Sequence, residues 1–200
     1  MNIKRFKSLS FLWLIFLLSA CTSTSKPVEY YVLESGFTTR YENNDSNPAK
    51  ETIRLQELHL ARYLAQSSLT LLRSDHSVYY TNHHIWAEPL QYGLKRALAM
   101  DFFQAGSTLL LEGDPSGASS DFELRLQIDN FSATDDSRVL LGGKFWLLKN
   151  EKPLASREFQ LSDTLTVDGY AHSVSKQREL VAQLVQLILD SVLQTTKQES

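Results

Sequence analysis

The chain has 200 residues, with 20 Lys or Arg against 23 Asp or Glu, 42% apolar residues, 8 Gly and 5 Pro. This balance excludes a disordered linker or a fibre, and the length suits one domain, or one domain plus a targeting segment. A net charge of -3 and a pI near 6.0 argue against nucleic acid, which calls for a clustered basic face. One Cys allows neither an intramolecular disulfide nor a Cys-based zinc site.

Lys4, Arg5 and Lys7 are the first charges, and the next is Lys26. They precede an apolar run over residues 9–18, then the small residues Ser19 and Ala20, then Cys21. A basic start, a short apolar stretch and a small-residue cleavage site make a secretory signal peptide over residues 1–20. The apolar run is about half of the ~20 residues that a spanning helix requires. A buried core helix would leave three cations at its mouth unexplained.

Leu18-Ser19-Ala20-Cys21 resembles the bacterial lipobox, whose Cys is acylated and becomes the first residue of the mature chain. Lipidation at Cys21 also accounts for a lone Cys in an oxidising compartment, where a free thiol is a liability. One acyl chain binds a membrane only marginally, so stable anchoring needs more, and lipoproteins of this class carry three. Thr22, in place of the Asp that retains enteric lipoproteins at the inner membrane, implies delivery to the outer one. Loss of the three leading cations leaves 17 basic residues against 23 acidic, a net of -6. Such a body has no general attraction for anionic lipid. Residues 21–29 then form a lipidated tether; its eight residues after Cys21 reach at most ~28 Å.

A folded domain is expected over residues 30–197. Tyr30-Tyr31-Val32-Leu33 reads as a first strand, residues 35–50 as a polar loop, and residues 52–58 as a second strand. Residues 60–65 suggest a short helix. Residues 69–73 and 78–80 flank the turn formers Ser74-Asp75-His76-Ser77 and predict a hairpin. Helix signals begin at Trp86, with Pro89 suited to the first helical position. Leu90, Leu94, Ala97, Leu98 and Phe102 mark its buried face, and Gly106 is a natural stop. Residues 108–111 read as a short buried strand.

Phe122, Leu124, Leu126 and Ile128 alternate with Glu123, Arg125, Gln127 and Asp129, the pattern of a strand wet on one face. Turns at Asp135-Asp136-Ser137 and at residues 150–153 then make an antiparallel meander, and Gly142-Gly143 suggests a bulge within it. Leu180, Val181, Leu184, Leu187, Ile188 and Val192 form the stripe of a last helix after Asp168-Gly169-Tyr170. The order of elements predicts one α+β domain, a two-layer α/β arrangement in which two principal helices cover a largely antiparallel sheet.

Catalytic motifs are absent: there is no G-x-S-x-G, P-loop, G-x-G-x-x-G or H-E-x-x-H. His83-His84 with Glu88 is the best metal candidate, but adjacent strand residues point to opposite faces, and surface histidines are the favoured reading. Asp114, Asp135 and Asp136 sit among turn formers, where Asp serves the backbone. His76 and His172 lack a partner at a defensible spacing. Tyr30, Tyr31, Phe145 and Trp146 could line an acyl groove, although strands enrich aromatics in any case. No catalytic residue, metal ligand or cofactor is assigned.

Taken in order, several segments resemble the ABC-type transport auxiliary lipoproteins, specifically the PqiC type. They are the lipobox ending at Cys21, Tyr30-Tyr31-Val32-Leu33, Arg62-Tyr63-Leu64 and Ile85-Trp86-Ala87-Glu88-Pro89-Leu90. Phe131, Arg138-Val139, Gly143-Lys144-Phe145-Trp146-Leu147-Leu148 and Asp168-Gly169-Tyr170 follow. The long polar loop over residues 35–50 departs from the pattern, and loops tolerate insertion.

The resemblance implies a non-enzymatic lipoprotein on the periplasmic face of the outer membrane. Its partners would be an MCE-domain protein of PqiB type and an integral inner-membrane protein of PqiA type. The assembly would move lipid between the membranes and support envelope integrity, with this chain docking the tip of the MCE tunnel. A homo-oligomer is compatible with that role; nucleic acid is not a partner. Trp86, Glu88, Pro89, Asp168 and Tyr170 are the candidate docking residues, although packing and helix capping explain them equally. Two rivals remain: an independent periplasmic lipid carrier with its own apolar cavity, and an envelope hydrolase with a convergent nucleophile and base.

Overall fold

A computed structural model describes residues 26–34 and 51–199. The signal peptide, Cys21 with Thr22, and the polar loop at 35–50 therefore lie outside the described residues. The organising element is the long strand β6 (Phe122–Thr134), whose apolar alternation buries Phe122, Leu124, Leu126 and Ile128. One of its edges carries the antiparallel meander β7 (Arg138–Lys149) and β8 (Lys152–Thr164).

The other edge of β6 is shared. Its first half pairs in parallel with β2 (Thr52–Leu60), and its last residues pair in parallel with β3 (Ser68–Leu72). A 3-10 turn, Arg62–Ala65, steps from one to the other, where a short helix was expected. Ala61 N–H reaches the carbonyl of Ile128 at 2.9 Å, and the Tyr63 hydroxyl donates to the carbonyl of Asp129 at 2.9 Å. The hairpin partner of β3 is β4 (Val78–Trp86), and β1 (Glu29–Tyr31) lies parallel to its far end. β5 (Thr108–Leu110) flanks β2. The result is an eight-stranded mixed sheet whose longest pairings, within the meander, are antiparallel.

Two helices, α1 (Leu90–Gln104) and α2 (Tyr170–Glu199), pack on each other and on the sheet. Leu94, Ala97, Leu98 and Phe102 of α1 meet Leu180, Val181, Leu184 and Ile188 of α2 in one core with Phe131 and Phe145. Gly106, at φ +83°, ends α1 in a Schellman arrangement: Ser107 N–H bonds the carbonyl of Phe102 and Gly106 N–H that of Phe103. The α+β expectation holds. Several boundaries shift, and one bears on the candidate site: β4 runs past the expected 78–80 so that Trp86 closes it rather than opening α1, and Pro89 is the residue preceding the first helical turn.

The bulge sits where the glycine pair predicts it, but the extra residue is Asp129 on β6, facing Gly142 and Gly143 of β7. Here the strands come so close that a Cβ on Gly143 would lie 2.0 Å from the carbonyl oxygen of Gln127. The β7–β8 turn places Asn150 and Glu151 at φ +51° and +64°, the conformation of a two-residue primed turn that follows the sheet twist. Pro153 then falls at a register shift on the outermost strand, where the absent N–H costs no interior hydrogen bond.

Candidate functional site

The candidate docking residues occupy the starts of the two helices. Trp86 is 7% exposed and its ring stacks on Phe131 at 6.2 Å between centroids, bracing β4 against β6 inside the core. Glu88 is gripped by Arg96, with one guanidinium nitrogen 2.8 Å from Oε2. Pro89 is exposed and lines a shallow groove of about 230 Å³ with His59, Leu60, Ala65 and Gln91. Asp168 is exposed beside Gly169, which takes φ +124° and lets the chain turn into α2. Tyr170 lies flat on His84, with centroids 3.8 Å apart. Pro89 and Asp168 thus present surface, whereas Trp86 presents almost none.

His84 ties these groups to β1. The Tyr31 hydroxyl donates to Glu29 Oε2 at 2.6 Å and lies 3.0 Å from His84 Nδ1, while Glu29 Oε2 stands 3.5 Å from the same nitrogen. Burial, then the hydrogen bond and the charge of Glu29, push the Tyr31 phenol up to about 12. A histidine beside a carboxylate was the feature that would favour a hydrolase. However, the hydroxyl it faces is a phenol held firmly protonated, a poor nucleophile at neutral pH. The geometry is that of a brace joining β1, β4 and the first turn of α2.

The metal candidate does not assemble. His84 faces β1 and α2, Glu88 faces Arg96, and His83 Nδ1 is buried without a hydrogen-bond partner. His172 Nε2 is likewise buried and unpaired, and Asp163 near it is held by Lys176 at 3.0 Å. The four aromatics considered for an acyl groove divide between faces: Phe145 is fully buried, while Tyr30 is largely exposed. Trp146 instead lines an outer groove of about 260 Å³ with Glu57, His59, Arg125, Leu148 and Pro153.

Sequence reasoning missed a buried ion cluster. Asp101, 5% exposed on the core side of α1, receives both arms of the Arg178 fork from α2, each at 2.6 Å. Arg178 Nε donates to Glu34 Oε1, also at 2.6 Å, so the residue that follows Leu33 is fastened to α2 and, through Arg178, linked to Asp101 of α1. Burial pulls the Arg178 guanidinium down, but the two carboxylates outweigh it and leave its pKa above the ordinary value. The signal was available: Asp101 falls three residues after Leu98 on the apolar stripe, and Arg178 three before Val181 on the other.

Comparison with known proteins agrees with this architecture. A crystal structure of an uncharacterised protein superposes with a TM-score of 0.69 at 20% identity, covering 84% of this chain and 99% of the other. Protein XCC0632 from Xanthomonas campestris gives a TM-score of 0.61 at 15% identity, covering 78% and 92%. In sequence, the chain is 25% identical over 169 residues to the intermembrane transport lipoprotein PqiC of Escherichia coli K12, covering 81% of this chain and 87% of that one. The Shigella flexneri PqiC matches equally. The profile of the ABC-type transport auxiliary lipoprotein component matches residues 31–188, and the chain belongs to that family.

Proposed function

We propose that this protein is the outer-membrane-anchored, non-catalytic docking subunit of a PqiABC-like system that moves lipid between the two membranes. Acylated Cys21 would hold it on the periplasmic face, following removal of residues 1–20. The domain over residues 30–197 would receive an MCE-domain protein of PqiB type, itself joined to an integral inner-membrane protein of PqiA type. The observation carrying this reading is a family match that runs from Tyr31 through the greater part of α2, with a PqiC relative aligned over most of both chains.

The interior supports a docking role over an independent lipid carrier. Phe102, Phe131, Phe145, Leu124 and Leu141 are fully buried against one another and fill the layer where an acyl chain would lie. The helix starts remain the proposed docking region, with Pro89 and Asp168 as contacts, and Trp86, Glu88 and Tyr170 shaping the surface around them.

The test is recovery of the lipidated protein from its own membranes in mild detergent, with mass spectrometry of what accompanies it. An MCE-domain protein in stoichiometric amount is the expected result. The protein alone, carrying bound lipid, would overturn the docking role in favour of the carrier.

A further inference from the structure

The outer face of β1 carries an apolar stripe that is left exposed among the described residues. Tyr31 pairs with the buried Trp86, so these two face the helices, and Tyr30 with its partner Ile85 faces the other way. Val28, Tyr30 and Val32 alternate along that outward side and are 43%, 67% and 42% exposed. On the neighbouring strand Tyr80 is 38% exposed; it pairs with Thr70, whose side chain bonds that of Ser132 on the same outer side. The ionisable neighbours Glu29, Tyr31 and His84 lie on the opposite face, while His83 falls on the outer side with its Nδ1 buried.

Chain direction decides what covers this stripe. Because β1 runs parallel to β4, the segment preceding Glu29 heads back along β4 toward Tyr80 and Val78. Seven residue steps separate Val28 from Cys21, a reach of at most ~25 Å. An anchor at Cys21 is therefore within reach of the end of the sheet where Val28 and Tyr80 are exposed. Tyrosine, with an apolar ring and a polar tip, suits the boundary between headgroups and acyl chains. A mature body of net negative charge is not drawn to anionic lipid, so such contact rests on apolar burial.

We propose that the outer face of β1 and β4, through Val28, Tyr30, Val32 and Tyr80, rests on the bilayer that holds the lipid anchor. The helix layer, with Pro89 and Asp168, is then turned away from that membrane. This rests on lipidation at Cys21, as set out under the proposed function.

Since acylation consumes the single native thiol, an introduced Cys is uniquely labelled. The full lipidated chain with Tyr30→Cys, Val32→Cys or, on the helix layer, Tyr92→Cys would carry an environment-sensitive fluorophore. Each is bound to phosphatidylcholine vesicles containing a lipid nitroxide near the headgroup, after mass spectrometry of Cys21. The expected result is blue-shifted emission, quenched by the nitroxide at 30 and 32 and unquenched at 92, with little change between low and high salt. If Cys21 is unacylated, the anchoring reading fails and this orientation falls with it. If the acylated protein binds vesicles but 30 and 32 are quenched no more than 92, the orientation alone is overturned. A blue shift at 30 without quenching means that protein covers the stripe, and also overturns it. Folding of each variant is checked by its melting transition in detergent, and the two stripe positions guard against one defective variant.

Discussion

Removing the carboxylate of Asp101 should destabilise the domain more than any single surface change. Arg178 would keep only Glu34, and its fork would lose two hydrogen bonds of 2.6 Å in a place where water has little access. Breaking one side of a buried pair costs about 3–5 kcal/mol, because the surviving charge stays desolvated. The remaining Glu34 contact puts Asp101→Ala at the low end, about 3 kcal/mol. At roughly 2–4 °C per kcal/mol for a domain of this size, the melting temperature should fall by about 6–12 °C. Calorimetry or denaturant titration reads this directly. The double variant Asp101→Leu with Arg178→Met should recover part of the loss, since neither helix then buries a lone charge. A cost for Asp101→Ala below about 1 kcal/mol, the range of exposed pairs, would refute the reasoning and mean that water screens the cluster.

Other perturbations separate structure from docking. Gly143→Ala should prevent stable folding while Gly142→Ala is tolerated: the first Cβ meets a backbone carbonyl at 2.0 Å, the second nothing nearer than 3.5 Å, and expression with thermal melts compares them. Trp86→Ala should cost about 3–5 kcal/mol as a core truncation, so any loss of complex assembly should track its melting curve. Asp168→Lys, at an exposed site, should leave the melt unchanged and weaken partner recovery if the start of α2 is the contact. Tyr31 titrates at about 12 in the fold against 10 unfolded, so the unfolded chain loses its proton first. Stability from this group is whole below pH 10 and declines as pH rises toward 12, and Tyr31→Phe should flatten that decline in alkaline melts.

How far the sequence exposed this architecture depended on whether a feature was local. The β6–β7–β8 meander was legible because alternation and turn chemistry are neighbour effects, and so were both helix stripes. The parallel pairings were not. Nothing in Thr52–Leu60 or Ser68–Leu72 announces that both strands run along the same edge of Phe122–Thr134. That arrangement depends on a 3-10 turn of four residues which realigns the second strand, and on the bulged residue Asp129, whose carbonyl bonds Tyr63. Tyr63 was noted as part of a family segment. Its physical task, holding the step between two strands, appears only when residues some sixty positions apart are brought together.

The same division runs through the candidate site. Trp86, Glu88 and Pro89 drew notice because they form an uncommon run, yet Trp86 fills the core, Glu88 is held by Arg96, and Pro89 alone is freely exposed. The groups with unusual chemistry lie elsewhere. Tyr31, His84 and Tyr170 make one brace, and Asp101, Arg178 and Glu34 another. Both tie the short strand β1, or the residues that follow it, to the helix layer. A three-residue edge strand buries too little to hold itself in place against even a modest pull. If the chain is anchored through Cys21, force from the membrane enters at this strand. Two braces of polar and ring contacts, largely part-buried, would pass it to both helices rather than let β1 peel from β4. On this argument their conformational cost serves attachment of the tether, and through Tyr170 the first of them links the anchor to the start of α2, where the proposed docking region lies.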